Sequence, residues 1–311
     1  MPKNPRFNLS YLLSLILLTL CLWAIANELR DYNYRDILHS LTTIPKQRLS
    51  RALGLTILGY SVMVGYDILG FYYVGCPLSW NKIALTNFIS SAFSNTIGFA
   101  LLTGSAIRYR FYANWGVPPV AIAQIIAFVN FTFWLGMLTV AGLIFITHPL
   151  LIPNQLHLPF STVRPLGIIF LFLIASYLLG SIFIKQSLII RGHLFRLPVF
   201  HISLAQIFIS SLDWMLAASV LYEILPANTN LSYPNFLGIY LLAMFAAVIS
   251  NIPGGLGVFE TVVLLLLTSK LPAATIIGSL LAYRGIYYFL PLLLASGSLG
   301  LFEFKYNLRK S

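Results

Sequence analysis

Six runs of apolar residues, at 9–28, 50–75, 118–147, 165–185, 202–225 and 273–304, decide what this chain can become. Each is long enough to cross ~30 Å of hydrocarbon as a helix, which takes about 20 residues. A backbone in that medium has no water to bond to, so the runs must satisfy their peptide groups internally. Of the 311 residues 59% are hydrophobic and 9% charged, with a mean hydropathy of +0.86, whereas soluble domains carry about 25% charged residues. The sequence therefore predicts an all-α polytopic integral membrane protein. No stretch reads as a separate soluble unit, so residues 1–311 are expected to form a single transmembrane domain.

The formal net charge is +11, but the basic residues sit in short clusters at span ends, where cytoplasmic loops meet anionic lipid. Nucleic acid is not an expected partner. Cys21 and Cys76 have no metal-ligand spacing, and no pair among the five histidines follows H-x-x-x-H. Neither a metal site, a cofactor nor a disulfide framework is expected. The first run follows "MPKNPRFN" without a small-residue cleavage pattern, and reads as a retained first span rather than a signal peptide.

Two further segments, 82–102 and 235–270, are apolar but broken. The first holds Asn87, Ser90, Ser91, Ser94, Asn95 and Thr96; the second holds "SNIPGGLGVFE" at 250–260. A shift of 156 residues lays Ser94 and Asn95 of "SNTIG" on Ser250 and Asn251 of "SNIPG", and "VGYDILG" (64–70) on "VLYEILP" (220–226). The intact runs map pairwise under the same shift. A duplication follows, with repeat 1 at about 1–155 and repeat 2 at about 156–311.

If each broken segment is a re-entrant hairpin, each half crosses three times and the second half is inverted. Facing broken helices in inverted repeats are a recurring plan for secondary transporters. Repeat symmetry favours this plan, and with the N-terminus inside it puts 11 basic residues in the cytoplasm against seven outside. Loop charge taken alone favours nine full crossings with the N-terminus outside.

The candidate site residues gather at these breaks. Pro253 ends one helix, Gly254, Gly255 and Gly257 permit a tight turn, and a new helix is expected near 256–259. Its free N–H groups suit a phosphate. Glu260 falls in the first turn, where it either caps the helix or meets a cation or proton. In "GSAIRYRFY" (104–112), Arg108 and Arg110 do not share a helical face, so one is expected at headgroups and the other inside. Arg284 lies about a dozen residues into the last span, where a guanidinium costs roughly 2.5–3.5 kcal/mol unless paired. Its partner is sought first in Glu260, second in Asp213, with Asp67 and Glu223 nearer span ends. No nucleophile or metal motif appears, and no enzymatic activity is expected.

"GSAIRYRFY", "SNIPGGLGVFE" and "YRGIYYFLP" together resemble the lysylphosphatidylglycerol synthase transmembrane region, a flippase-like domain family, over nearly the whole chain. "YDILG" followed by "GCPL" fits as well. The resemblance implies a bacterial inner-membrane protein whose motif positions are Gly104, Arg108, Pro253, Gly254, Gly255, Gly257, Glu260 and Arg284. In members that carry a soluble domain that makes the lipid, the resemblance implies a membrane domain that moves aminoacylated phosphatidylglycerol between leaflets, a cargo that standalone members need not share. No such soluble domain is expected here.

The resulting expectation is a flippase-like protein that binds or translocates a phospholipid or lipid-linked anion. The phosphate is expected at the Gly254–Gly257 helix start with Arg108 or Arg284, Glu260 at a cationic group or proton, and Asp213 among the substrate-binding residues. A non-transporting accessory subunit of a lipid or envelope-glycan synthesis complex, or a small-solute transporter, are the alternatives. Homo-oligomerisation is left open.

Overall fold

The computed structural model describes residues 44–97, 100–151, 161–184, 188–190, 193–195, 197–226, 231–250, 255 and 257–308, with positions 35 and 42. The expected first span at 9–28 lies outside them.

Helices α1 (Lys46–Val74), α2 (Trp80–Ile97), α3 (Ala100–Asn114) and α4 (Pro119–Thr147) make up the first half of the described chain. They are followed by α5 (Arg164–Phe183), α6 (Phe200–Ile224), α7 (Tyr233–Ile249), α8 (Val258–Leu267), α9 (Ala273–Tyr283) and α10 (Leu290–Leu308). Proline opens several of them: Pro119 starts α4, Pro165 and Pro234 lie in the first turns of α5 and α7, and Pro272 precedes α9. At those positions the missing N–H breaks no helical bond. Gly75 ends α1 in the left-handed conformation, φ +72°.

Among the described residues five spans are long and apolar enough to cross a membrane: α1, α4, α5, α6 and the run from Ala273 to Phe302. They coincide with five of the six apolar runs. The last is not one continuous α-helix as the run suggested. A π-helical turn, Arg284–Phe289, joins α9 to α10. A three-residue antiparallel pairing, β1 (Leu188–Ile190) with β2 (His193–Phe195), adds to the all-α reading beyond the spans. Its origin is visible in the sequence, where two β-prone triplets flank Arg191-Gly192. Between α4 and α5, Leu151 and Thr162 form one antiparallel bridge.

At the centre α1 packs along α6, and α4 packs on both. The two central helices run antiparallel. Arg48, at the start of α1, donates to the carbonyl of Leu225 beyond the end of α6, Gly65 lies against Ile209, and Tyr66 reaches Asp213. Polar side chains tie the neighbours together: Gln206 donates to Thr132 Oγ1 at 2.6 Å and accepts from Tyr177 Oη at 2.6 Å, linking α4, α5 and α6. Trp214 Nε1 donates to the Phe133 carbonyl. Such bonds supplement close packing where lipid offers no hydrophobic drive between helices.

The second half repeats the order of the first. Helix starts at 46, 80, 100 and 119, moved by 156, fall at 202, 236, 256 and 275, against observed starts at 200, 233, 258 and 273. Contacts recur too: α2 on α3 is matched by α7 on α8, and α2 on α10 by α4 on α7. In each half the two helices of the broken segment pack on one another, and α2 meets α10 as α7 meets α4.

Candidate functional site: two buried ion pairs at the helix breaks

In the first hairpin, α2 and α3 approach closely because Gly104 has no side chain. A β-carbon there would collide with Ser94 Oγ and sit 3.4 Å from the Ser90 carbonyl. This close approach brings Arg108, one turn further along α3, inside the protein at 6% exposure. It meets Asp67 of α1, which is fully buried. Arg108 Nε donates to Asp67 Oδ1 and Nη2 to Oδ2, both at 2.9 Å. Tyr112 Oη donates to Oδ1 at 2.7 Å and Asn87 Nδ2 to Oδ2 at 2.6 Å. Four donor groups on one carboxylate offset the several kcal/mol that its removal from water costs.

The expected division of labour between Arg108 and Arg110 is met in part. Arg108 is the inward one, but its guanidinium lies on a carboxylate rather than free for a phosphate. Asp67, considered at first only as a distant partner for Arg284, is the residue that holds it. Tyr112 and Asn87 complete that shell. Asn87 was visible as a polar residue in an apolar segment, whereas Tyr112 carried no signal beyond its helical spacing from Arg108.

In the second hairpin, α7 ends at Ile249 and α8 begins at Val258. Gly255 and Gly257 have φ of +63° and +79°, a region that L side chains enter at a cost. Gly255 also lies against Ala247, where an added β-carbon would come within 2.8 Å. Asn251, Pro253 and Gly254 lie outside the described residues. Ser250 Oγ bonds back to the Ala247 carbonyl at 2.7 Å and sits at the surface.

Glu260 does two things at once. Its Oε2 accepts from the Gly257 N–H at 2.9 Å, capping α8, and its Oε1 accepts from Arg284 Nε at 2.8 Å and from Arg284 Nη2. Both residues are 4% exposed. The guanidinium also lies over the Tyr288 ring, 5.4 Å from its centroid, an arrangement favourable to a cation. Arg284 opens the π-helical turn, and π-bulges recur at functional sites. The choice posed by the sequence, cap or counter-charge, resolves to both.

Asp213, the second candidate partner for Arg284, is not there. It faces α1, where Tyr66 Oη donates to its Oδ2 at 2.8 Å. Ser94 and Asn95 stand at the end of α2 as expected. Ser94 Oγ and Asn95 Nδ2 are buried without a hydrogen-bond partner, as are Asn87 Oδ1 and Ser105 Oγ beside them. Four such atoms along the two packed helices of one hairpin are more than a packed interior usually holds. No cluster of metal-ligating side chains occurs among the described residues.

The family model of the lysylphosphatidylglycerol synthase TM region matches residues 11–295, which hold both ion pairs. The chain belongs to that family. Relatives of the lysylphosphatidylglycerol synthase TM region include the uncharacterized protein slr0712 of Synechocystis, 49% identical over 92% of this chain and 89% of its own. The inner membrane protein YbhN of Escherichia coli is 37% identical over 86% of this chain and 80% of its own. A phosphatidylglycerol lysyltransferase of Staphylococcus haemolyticus is 27% identical over 97% of this chain, a match that spans 35% of the lysyltransferase. This member of the family is a multi-pass membrane protein, with five spans of sufficient length and apolarity among the described residues.

Proposed function

We propose that the protein binds a phospholipid or lipid-linked anionic headgroup and carries it between leaflets, by exchanging that anion for the carboxylates now held on Arg108 and Arg284. The carrying observation is that each broken segment takes part in a buried ion pair, Arg108 two turns into α3 with Asp67 and Glu260 in the first turn of α8 with Arg284. Buried ion pairs are poor stabilising devices, often no better than apolar replacements. Two of them at breaks in apolar hairpins are better explained as places where an anion is received. The carboxylate holds the guanidinium in place until a phosphate, with matching bidentate geometry, replaces it.

At the second break the start of α8 adds its dipole to Arg284, so a phosphate displacing Glu260 finds both a cation and free N–H groups. At the first, the unsatisfied Ser94, Asn95, Asn87 and Ser105 atoms supply donors and acceptors for headgroup hydroxyls. The antiparallel packing of α1 on α6, which are equivalent under the 156-residue shift, supports inverted halves with the two breaks facing each other. Gly59 lies on Leu216, one residue from being its own equivalent. In such an arrangement each break serves one leaflet. The printed name of the lysyltransferase relatives supports phosphatidylglycerol as the first lipid to try.

The reading is tested by titrating phosphatidylglycerol or phosphatidylethanolamine into the detergent-solubilised protein and following thermal unfolding. Stabilisation by phosphatidylglycerol that is lost in Arg284→Ala is expected. Equal stabilisation of wild type and variant by both lipids would contradict it.

A further inference from the structure

Among the acids in the membrane interior, Asp213 is the exception. Asp67 and Glu260 each rest on an arginine, but Asp213, 3% exposed, receives a single bond from Tyr66 and its Oδ1 is buried with no partner. It lies at the seam between the two antiparallel central helices, mid-way along α6. An ionised carboxylate in such surroundings is far more costly than a protonated one, and a group so placed neutralises itself.

The ionisable groups on the elements packed around α6 offer no counter-charge. From α1, Tyr60 and Tyr66 face Asp213, while Asp67 is turned to Arg108 and Arg51 to Glu223 at the far end. α4 carries no ionisable side chain, and on α5 Tyr177 is bonded to Gln206. On α7, Tyr240 is bonded to Tyr283 of α9, and Tyr233 to the Met215 carbonyl. Tyr287 of the π-helical turn holds its backbone carbonyl toward Tyr60, and Arg284 is committed to Glu260. On α6 itself His201 is exposed at the helix start and Glu223 lies ten positions away. The surroundings of Asp213 are thus phenols.

We propose that Asp213 is a proton-binding site, loaded in the arrangement described and unloaded when α1 and α6 slide apart. On opening, water reaches Oδ1, the O–H bond breaks, the proton passes to that water and the carboxylate remains. Recapture of a proton from the other side restores the closed seam. A carrier built this way links one proton to each passage between states, and Tyr66 holds the carboxyl in place in the closed seam. What the proton drives rests on the lipid-translocation reading; the proton site does not.

The test is infrared difference spectroscopy on the full chain in detergent, titrated from acid to alkaline. Wild type should show a protonated-carboxyl C=O band that is absent in Asp213→Asn, shifted in Tyr66→Phe, and replaced by carboxylate bands at high pH. Asp213→Asn should unfold within a few degrees of wild type, since a neutral isostere matches the protonated acid. Carboxylate bands from Asp213 throughout, or a C=O band that sodium abolishes at fixed pH, would overturn the proposal. A positive spectrum from a protein that moves no labelled lipid would leave the proton site standing and overturn the translocation reading.

Discussion

The two helix breaks reach the same outcome, an arginine neutralised inside the membrane, with the charges placed on opposite partners. In the first hairpin the post-break helix α3 carries the base, and the acid comes from α1. In the second, the post-break helix α8 carries the acid, and the base comes from the π-helical turn. Under the 156-residue shift Glu260 falls on Gly104, the residue whose missing side chain lets α2 and α3 meet. The order of helices is the same in the two halves while the chemistry at each break differs. The first break is also more firmly held, with arginine, tyrosine and asparagine on one carboxylate, whereas the second shares its carboxylate between a guanidinium and a helix cap.

That asymmetry orders the consequences of mutation. Asp67→Ala should be the most damaging, leaving Arg108 buried without a partner and releasing Tyr112 and Asn87, at about 3–5 kcal/mol. Thermal unfolding in detergent should show it as the lowest midpoint of the series. Glu260→Gln keeps the shape and part of the cap but strands Arg284, and should cost about 3 kcal/mol by the same measurement. If it proved the more damaging of the two, the assignment of the first break as the firmer one would be wrong. Gly104→Ala forces a methyl onto Ser94 and should cost roughly 1–3 kcal/mol. Its effect should be relieved by Ser94→Gly, measured as a double-mutant cycle. Least affected should be Arg51→Ala, whose half-exposed pairing with Glu223 at 3.4 Å contributes under about 1 kcal/mol.

The sequence made the spans legible because apolar length is a one-dimensional property, and helix starts at Pro119, Pro165 and Pro234 follow from local chemistry. It also made Glu260 and Arg284 legible as a pair, since an arginine deep in a span must find an acid. The partner of Arg108 was not legible because Asp67 lies 41 positions away on another helix, and nothing in one dimension distinguishes a phosphate-facing arginine from a carboxylate-facing one. The same limit applies to Asp213. Its distance from Arg284, and its contact with Tyr66 across the seam, follow from the antiparallel packing of α1 and α6 rather than from any motif. The π-helical turn was hidden for a different reason: the apolar run continues unbroken through Gly285 to Leu290, so the extra residue per turn leaves no trace in hydropathy.

The most direct test of the central claim is the rate at which labelled phosphatidylglycerol crosses the bilayer of proteoliposomes containing wild type, Arg108→Ala, Arg284→Ala or Glu260→Gln. Exchange of a headgroup phosphate for the carboxylates predicts translocation above the protein-free rate for wild type. Each arginine variant should fall about tenfold or more, the effect of losing a charge-assisted contact of roughly 1.5–3 kcal/mol, and Glu260→Gln should retain binding to the lipid while losing turnover. Wild type and all three variants moving the lipid at the same rate would contradict it.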